Sequence, residues 1–211
     1  MTTAVLIPTR GIIYTRCINS VLTGVPGLTT DLILVSEGLK IPEAQNYLVK
    51  KGLSTSVDNF LMMEEDNVLP EGVFDKMVAS DGDIVCVDYP VDNGTSTVCR
   101  KNGEILWCGL GCTLVRRHVF EQLSKPIFRT DQSLLITDLD KWEYELQDVP
   151  NKYGGHDILF GYYARLKGFK ITQVNGVESP HLRSDLFARN QNNAGFRNVY
   201  ELPPVSKRQD Y

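Results

Sequence analysis

Short apolar runs alternate along this chain with longer stretches whose apolar residues recur at helical spacing. Residues 4–7 form one run, closed by Pro8; residues 32–35 form a second, stopped by Ser36, Glu37 and Gly38. Residues 60–63 form a third, ending abruptly at Glu64, and residues 83–87 a fourth. None of these alternates polar with apolar positions, so each predicts a strand buried on both faces. Between them, Tyr14, Cys17, Ile18, Val21 and Leu22 mark a helix that ends before Gly24 and Pro26. Pro42 opens a second helix over 43–51, with Gly52 as its stop, and 70–79 reads as a third. The alternation predicts a parallel α/β sheet covered on both faces.

The second half is less regular. Residues 94–107 suit a hairpin around Asn102-Gly103, a strong turn signal. Residues 113–123 carry a helical pattern. Residues 124–153 show little periodicity and predict a long loop or flap. Residues 157–167 predict a helix with Ile158, Leu159, Tyr162 and Leu166 on its apolar face and Gly168 as its stop, and 169–174 a last strand. The tail beyond Ser179 is polar and carries Arg183, Arg189, Arg197, Lys207 and Arg208.

Composition narrows the class. The 211 residues are 42% hydrophobic and 23% charged, enough apolar material for a globular core. A net charge of −4 does not advertise nucleic acid or membrane as a general partner. The five cysteines lack paired metal-type spacing, and reduced thiols in a cytoplasmic protein explain them most simply. The N-terminus has no charged region ahead of its apolar run, as a signal peptide requires. No stretch approaches the roughly 20 apolar residues that span a bilayer.

The acids after the third run add candidate chemistry. In an open parallel sheet ligands collect at the carboxyl ends of the strands, and Glu64, Glu65 and Asp66 stand at such an end. Two carboxylates one residue apart there can share a hard divalent cation with phosphate oxygens of a substrate. A solvated acidic turn leading into a helix explains the same three residues. Pro8-Thr9-Arg10-Gly11 and Glu37 close the first and second strands, so three consecutive strand ends carry groups suited to a nucleotide. Singly, Arg10 and Glu37 also read as surface residues.

The ordered motifs resemble those of GT-A glycosyltransferases of the family 2 type. "AVLIPTRG" with "YTRCINSVL" is similar to the opening strand and helix, and "PEAQNYLVKKG" to the segment with an alanine–asparagine pair before the metal strand. "FLMMEEDNVLP" resembles the strand that runs into an aspartate-x-aspartate motif. "WCGLGCTLVRRHVFEQL" resembles the glycine-rich acceptor-side strand and its helix, and "GGHDILFGYYARLKGFKI" the segment where an acid opens a helix. Order and spacing agree over roughly residues 4–181.

That resemblance implies a GT-A fold: a Rossmann-like, mostly parallel central sheet with helices on both faces, a small acceptor-side sheet and a flexible flap. It implies one domain over 1–182, with a nucleotide-sugar-binding half at 1–90, an acceptor half at 91–182 whose flap covers about 124–153, and a tail at 183–211. Pro8, Thr9, Arg10, Glu37, Asn46 and Glu65 would lie on the donor side. Glu64, Asp66 and His181 would hold Mn2+ or Mg2+, with Asp66 the first choice among the acids because it is the shorter, stiffer ligand. Asp157 would be the catalytic base; where the family commonly has two acids, this chain has His156 before Asp157. Trp107, Gly109, Gly111, Trp142 and His156 would face the acceptor. The implied reaction moves a sugar from a nucleoside-diphosphate sugar, a UDP-sugar by default, to a hydroxyl on a glycan, small molecule, protein or modified DNA base, with inversion favoured. A minimal enzyme of this kind, without a membrane anchor, would suit a bacterium or a virus.

Each residue also has a plainer explanation. Asp157 suits a helix first turn, His181 an ordinary histidine, Gly109 and Gly111 bulges, and Trp107 and Trp142 core or flap positions. Two rival functions remain. A catalytically degenerate nucleotide- or glycan-binding domain is compatible with His156 and with Glu in place of Asp. A sugar-1-phosphate nucleotidyltransferase would need a glycine-rich loop and lysine where this chain has "PTRGIIYTR".

Overall fold

The four apolar runs are four strands of one sheet; the first, third and fourth feed two cores in alternation, whereas the second is a half-buried edge strand with Val35 exposed, not a strand buried on both faces as expected. The computed structural model describes residues 1–29, 32–91, 94–138, 143–150 and 155–182. β1 (Thr3–Thr9) is buried throughout and lies between β2 (Ile33–Glu37) and β3 (Asn59–Met63), parallel to both. Ala4, Leu6, Phe60 and Met62 point into one core with Leu48, Phe120 and Phe160. Val5, Ile7, Leu61 and Met63 point into the other with Cys17, Val21, Phe74 and Met77. Successive strand side chains face opposite ways, so an unbroken apolar run needs exactly such cover on both sides.

The cover comes from helices. α1 (Thr15–Gly24) and α3 (Val73–Ala79) close one face; α2 (Glu43–Leu53), α4 (Arg117–Gln122) and α5 (His156–Leu166) close the other. With β4 (Ile84–Asp88), β7 (Cys112–Arg116) and β10 (Ile171–Glu178), the sheet order is β10-β4-β7-β3-β1-β2. β5 (Val98–Lys101) and β6 (Glu104–Cys108) form the small hairpin expected around Asn102-Gly103, whose φ values of 50° and 85° suit a tight primed turn.

The sheet is mostly parallel, as the resemblance implies, with one strand, β7, running antiparallel between β3 and β4. Four expectations are corrected. Residues 113–123 are therefore not one helix, since Thr113, Leu114 and Val115 are fully buried in β7 and α4 begins only at Arg117. A short apolar run gives helix and buried strand the same pattern, and β-branched Thr113 and Val115 favour the strand. Gly52 does not stop α2, which continues to Leu53; a Cβ on Gly52 would stand 2.5 Å from the Phe60 ring, so this glycine admits the ring. α3 starts at Val73 rather than Pro70, after a turn that Gly72 makes with φ 66°. Finally, 124–153 is not without regular structure: β8 (Ser133–Asp138) pairs with β9 (Glu143–Gln147), Leu134 opposite Leu146.

Asn46 ties the first half to the second. Its Nδ2 donates to the Phe128 carbonyl at 2.7 Å, and its Oδ1 accepts from the N–H groups of Ile127 and Phe128 at 3.0 Å each. Asn46→Ala leaves those groups of the 127–128 backbone without partners. It is expected to lower stability by about 1–3 kcal/mol, measured as a reduced urea midpoint at an unchanged m value.

Candidate active site

The C-terminal ends of β1, β2 and β3 form one rim. At the end of β1, the Thr9 hydroxyl accepts from the N–H groups of Gly11 and Ile12 at 3.0 and 3.1 Å and shapes the turn. Pro8 is buried opposite Ser36 in β2, and Thr9 lies opposite Glu37. Glu37 is exposed and leans over Gly11, where an added Cβ would stand 3.2 Å from its Oε1.

The acidic turn after β3 is pinned by backbone. Glu64 N–H donates to the Gly111 carbonyl at 3.0 Å, the Glu65 carbonyl accepts from Tyr14 N–H at 3.0 Å, and Asn67 N–H closes onto the Glu64 carbonyl at 3.2 Å. This separates the three acids. Glu65 turns to Arg10, accepting its backbone N–H at 2.7 Å and its Nε at 2.5 Å, with a further guanidinium contact. Glu64 and Asp66 face His181, and one donor atom from each of the three lies within 4.8 Å of the others.

His181 reaches the acids because the segment after β10 folds back along the turn. Val68 N–H donates to Pro180 at 3.0 Å, Leu182 N–H to Asp66 at 2.8 Å, and the Ser179 hydroxyl to Val68 at 2.8 Å. The His181 Nε2 stands 3.4 Å from Asp66 Oδ1. Electrostatics split the two acids. Burial, then the charge of Asp66, pushes Glu64 up to about 7. Burial opposes ionisation of Asp66 too, but the hydrogen bond and charge of His181 and the charge of Arg10 outweigh it, and Asp66 sits below the usual carboxylate range.

The sign of the Glu64 effect is testable. Its folded value near 7 lies above the ordinary 4.5, so the folded state binds this proton more tightly and loses stability as pH rises between those values. At full ionisation the penalty is at most roughly 3 kcal/mol. Glu64→Gln removes it: the variant is expected to melt higher than the parent at pH 8 and no higher at pH 5. Thermal unfolding at the two pH values, in chelator, measures this.

Asp157 opens α5, where its Oδ1 accepts from Ile158 N–H at 2.9 Å. Its charge bears on Glu64 and on Tyr89, so it faces the rim. His156 packs edge-on against Phe128, with ring centroids 6.4 Å apart, and thus stands on the segment Asn46 clamps. Burial lowers its pKa from 6.5, leaving a neutral imidazole at pH 7, and its Nδ1 is buried with no hydrogen-bond partner among the described residues. Trp107 is half-buried against Gly161 of α5. The glycines at 109 and 111 have a packing reason: a Cβ at Gly109 would stand 2.3 Å from the Tyr89 hydroxyl, and one at Gly111 1.9 Å from Asn67 Nδ2. Trp142 and the tail from Arg183 lie outside the described residues. No helix among those described is long and apolar enough to cross a membrane.

No family model matches the sequence, and no curated protein matches it. Solved structures do match. The STIV protein A197 superposes with a TM-score of 0.60 at 18% identity, over 85% of this chain and 84% of its own. GalNAc-T7, solved with UDP, GalNAc and Mn2+, gives 0.56 at 11% identity, over 86% of this chain and 44% of its own. S. aureus TarS 1-349 gives 0.55 at 14%, over 90% and 63%. The fold is that of the GT-A glycosyltransferases. This chain thus spans less than two thirds of GalNAc-T7 and of TarS 1-349.

Within the GT-A sheet, the donors of Glu64, Asp66 and His181 come together at the tip of β3, Arg10 borders them beside Asp66, Glu37 stands further along the rim at the end of β2, and the charge of Asp157 reaches Glu64 from α5. Asn46 stands further back, behind Phe128. Two residues of this rim escaped sequence reasoning, Tyr89 and Asn67. Tyr89 follows β4 directly, so carrying the strand-end argument to the fourth strand would have found it. Asn67 is wholly buried with neither amide atom hydrogen-bonded among the described residues, which no sequence pattern signals.

Proposed function

We propose that this chain transfers a sugar from a nucleoside-diphosphate sugar, a UDP-sugar first, to a hydroxyl acceptor, using a divalent cation held by Glu64, Asp66 and His181. The observation that carries the proposal is that three-donor cluster at the carboxyl end of a GT-A strand. The residues fit a cation. Two carboxylates and an imidazole are gathered within 4.8 Å, and burial with like charge holds Glu64 at about 7, a strain that a positive ion relieves. An imidazole in the set favours Mn2+ over Mg2+, which prefers an all-oxygen shell. GalNAc-T7, of the same fold, was solved with UDP and Mn2+.

Bound there, the cation supplies Lewis-acid neutralisation of the leaving diphosphate. The chain's own residues do the rest. Arg10, held by Glu65 beside Asp66, places a guanidinium where diphosphate oxygens arrive, and Glu37 and Thr9 border the nucleoside. Asp157 takes the proton of the acceptor hydroxyl. The hydroxyl oxygen bonds to the anomeric carbon as the bond to phosphate breaks, the diphosphate leaving with the electron pair and the configuration inverting. Neutral His156 orients the acceptor without adding charge. The β8–β9 pair shields the donor from water.

Calorimetric titration with UDP, GDP and TDP, with and without Mn2+, followed by a donor-consumption assay, tests this. Mn2+-dependent binding of one diphosphate with donor turnover is expected. Binding without turnover would instead identify a degenerate nucleotide-binding domain, and equal binding without Mn2+ would remove the cation from the site.

A further inference from the structure

Tyr89 has no part in the chemistry above, yet from behind it touches His181 and reaches Glu64 through the backbone of Gly111. It follows β4, is 5% exposed, and lies against Gly109 and Gly111, where Cβ atoms would stand 2.3 Å from its hydroxyl and 2.7 Å from its ring carbon Cζ. The two glycines of "CGLGC" therefore clear a slot for one phenol. In that slot the phenol oxygen accepts the Gly111 N–H at 3.1 Å, while the Gly111 carbonyl accepts the Glu64 N–H at 3.0 Å. The ring meanwhile packs against the His181 imidazole, centroids 5.7 Å apart and planes at 56°. On the far side, Asn67 fills the space beside Gly111, so the phenol has little room to shift.

We propose that Tyr89 is the positioning residue of the cation site: its oxygen fixes the Gly111 backbone, whose carbonyl holds the Glu64 N–H, and its ring sets the plane of His181. The inference rests on the cation-site reading above. Its physical basis is general: donors of a metal site are held by neighbours that fix their orientation, and loss of such a neighbour costs affinity although every donor remains. Here one side chain serves two donors brought by distant segments, one following β3 and the other following β10. The glycine-rich stretch that sequence resemblance assigns to the acceptor gains a second purpose, as the seat of that side chain.

The test is Mn2+ binding by the full chain without nucleotide, followed by calorimetry and by the electron paramagnetic resonance spectrum of the bound ion. Tyr89→Leu is expected to weaken Mn2+ about 10–100-fold, the range for residues that orient metal ligands, and to broaden the spectrum. Tyr89→Phe keeps the ring on His181 and loses only the acceptor for Gly111, so its loss should fall between those of the parent and Tyr89→Leu. Val119→Ala, a core change in α4 away from the rim, controls for general loosening: it is expected to melt lower but to bind Mn2+ as the parent does. Parent-like affinity and spectrum in both Tyr89 variants, or equal weakening in Val119→Ala, overturns the positioning role. Absence of Mn2+ binding by the parent overturns the cation site itself and this inference with it, so the two failures are distinguishable.

Discussion

Asp66→Ala is expected to cut sugar transfer by about 10³-fold or more, the scale at which electrostatic stabilisation of a developing charge is lost. Asp66 is the acid that stays ionised: His181 and Arg10 hold it below the usual carboxylate range while its neighbour Glu64 rises to about 7. It is therefore the donor that offers a full negative charge at neutral pH without first losing a proton. The loss should be chemical rather than structural. The Asp66 backbone carbonyl, not its side chain, accepts Leu182 N–H, and Pro180 is held through Val68, so the segment carrying His181 stays in place. Measured together, turnover should collapse, Mn2+ and diphosphate affinity should fall with it, and the urea midpoint should move little. Unchanged diphosphate affinity and unchanged transfer in saturating Mn2+ would remove the cation from the mechanism.

Asp157→Asn is expected to show the opposite division. Loss of a general base lowers turnover by about 10²–10⁴-fold. Asp157 is not one of the three gathered donors, and its influence on Glu64 is a like charge that raises the Glu64 pKa. With that charge gone, Glu64 ionises more readily, so Mn2+ and diphosphate binding should stay close to the parent's. The amide also still accepts from Ile158 N–H, preserving the start of α5. Single-turnover kinetics at saturating donor, paired with calorimetry, read both effects. Turnover within about threefold of the parent would assign the proton to another group, since a positioned base contributes far more than that.

Legibility from sequence differed sharply between elements. β1, β3 and β4 were readable because a strand covered on both faces shows as an unbroken apolar run, and their ends were readable to within about two residues because the runs stop at Pro8, at Glu64 and after Val87. α5 was readable to within a residue, from its apolar face and Gly168. β7 was not: its burial among β3 and β4 erases the period that would separate strand from helix. The β8–β9 pair was missed because two short strands supported mainly by each other need little apolar patterning.

The amino-acid sequence by itself determined the alternation of strands and helices, and with it a rim of strand ends bearing Arg10, Glu37, Glu64, Glu65 and Asp66. Local pattern suffices for this, because the side-chain period and the residue that ends an apolar run are properties of neighbours. Only the tertiary structure decided that Glu65 answers Arg10 while Glu64 and Asp66 answer His181, and that Tyr89 stands behind them. Those partnerships depend on where β7 inserts and on three hydrogen bonds that lay residues 179–182 along residues 66–68. Distances between side chains far apart in sequence are set by such packing, and no local pattern encodes them.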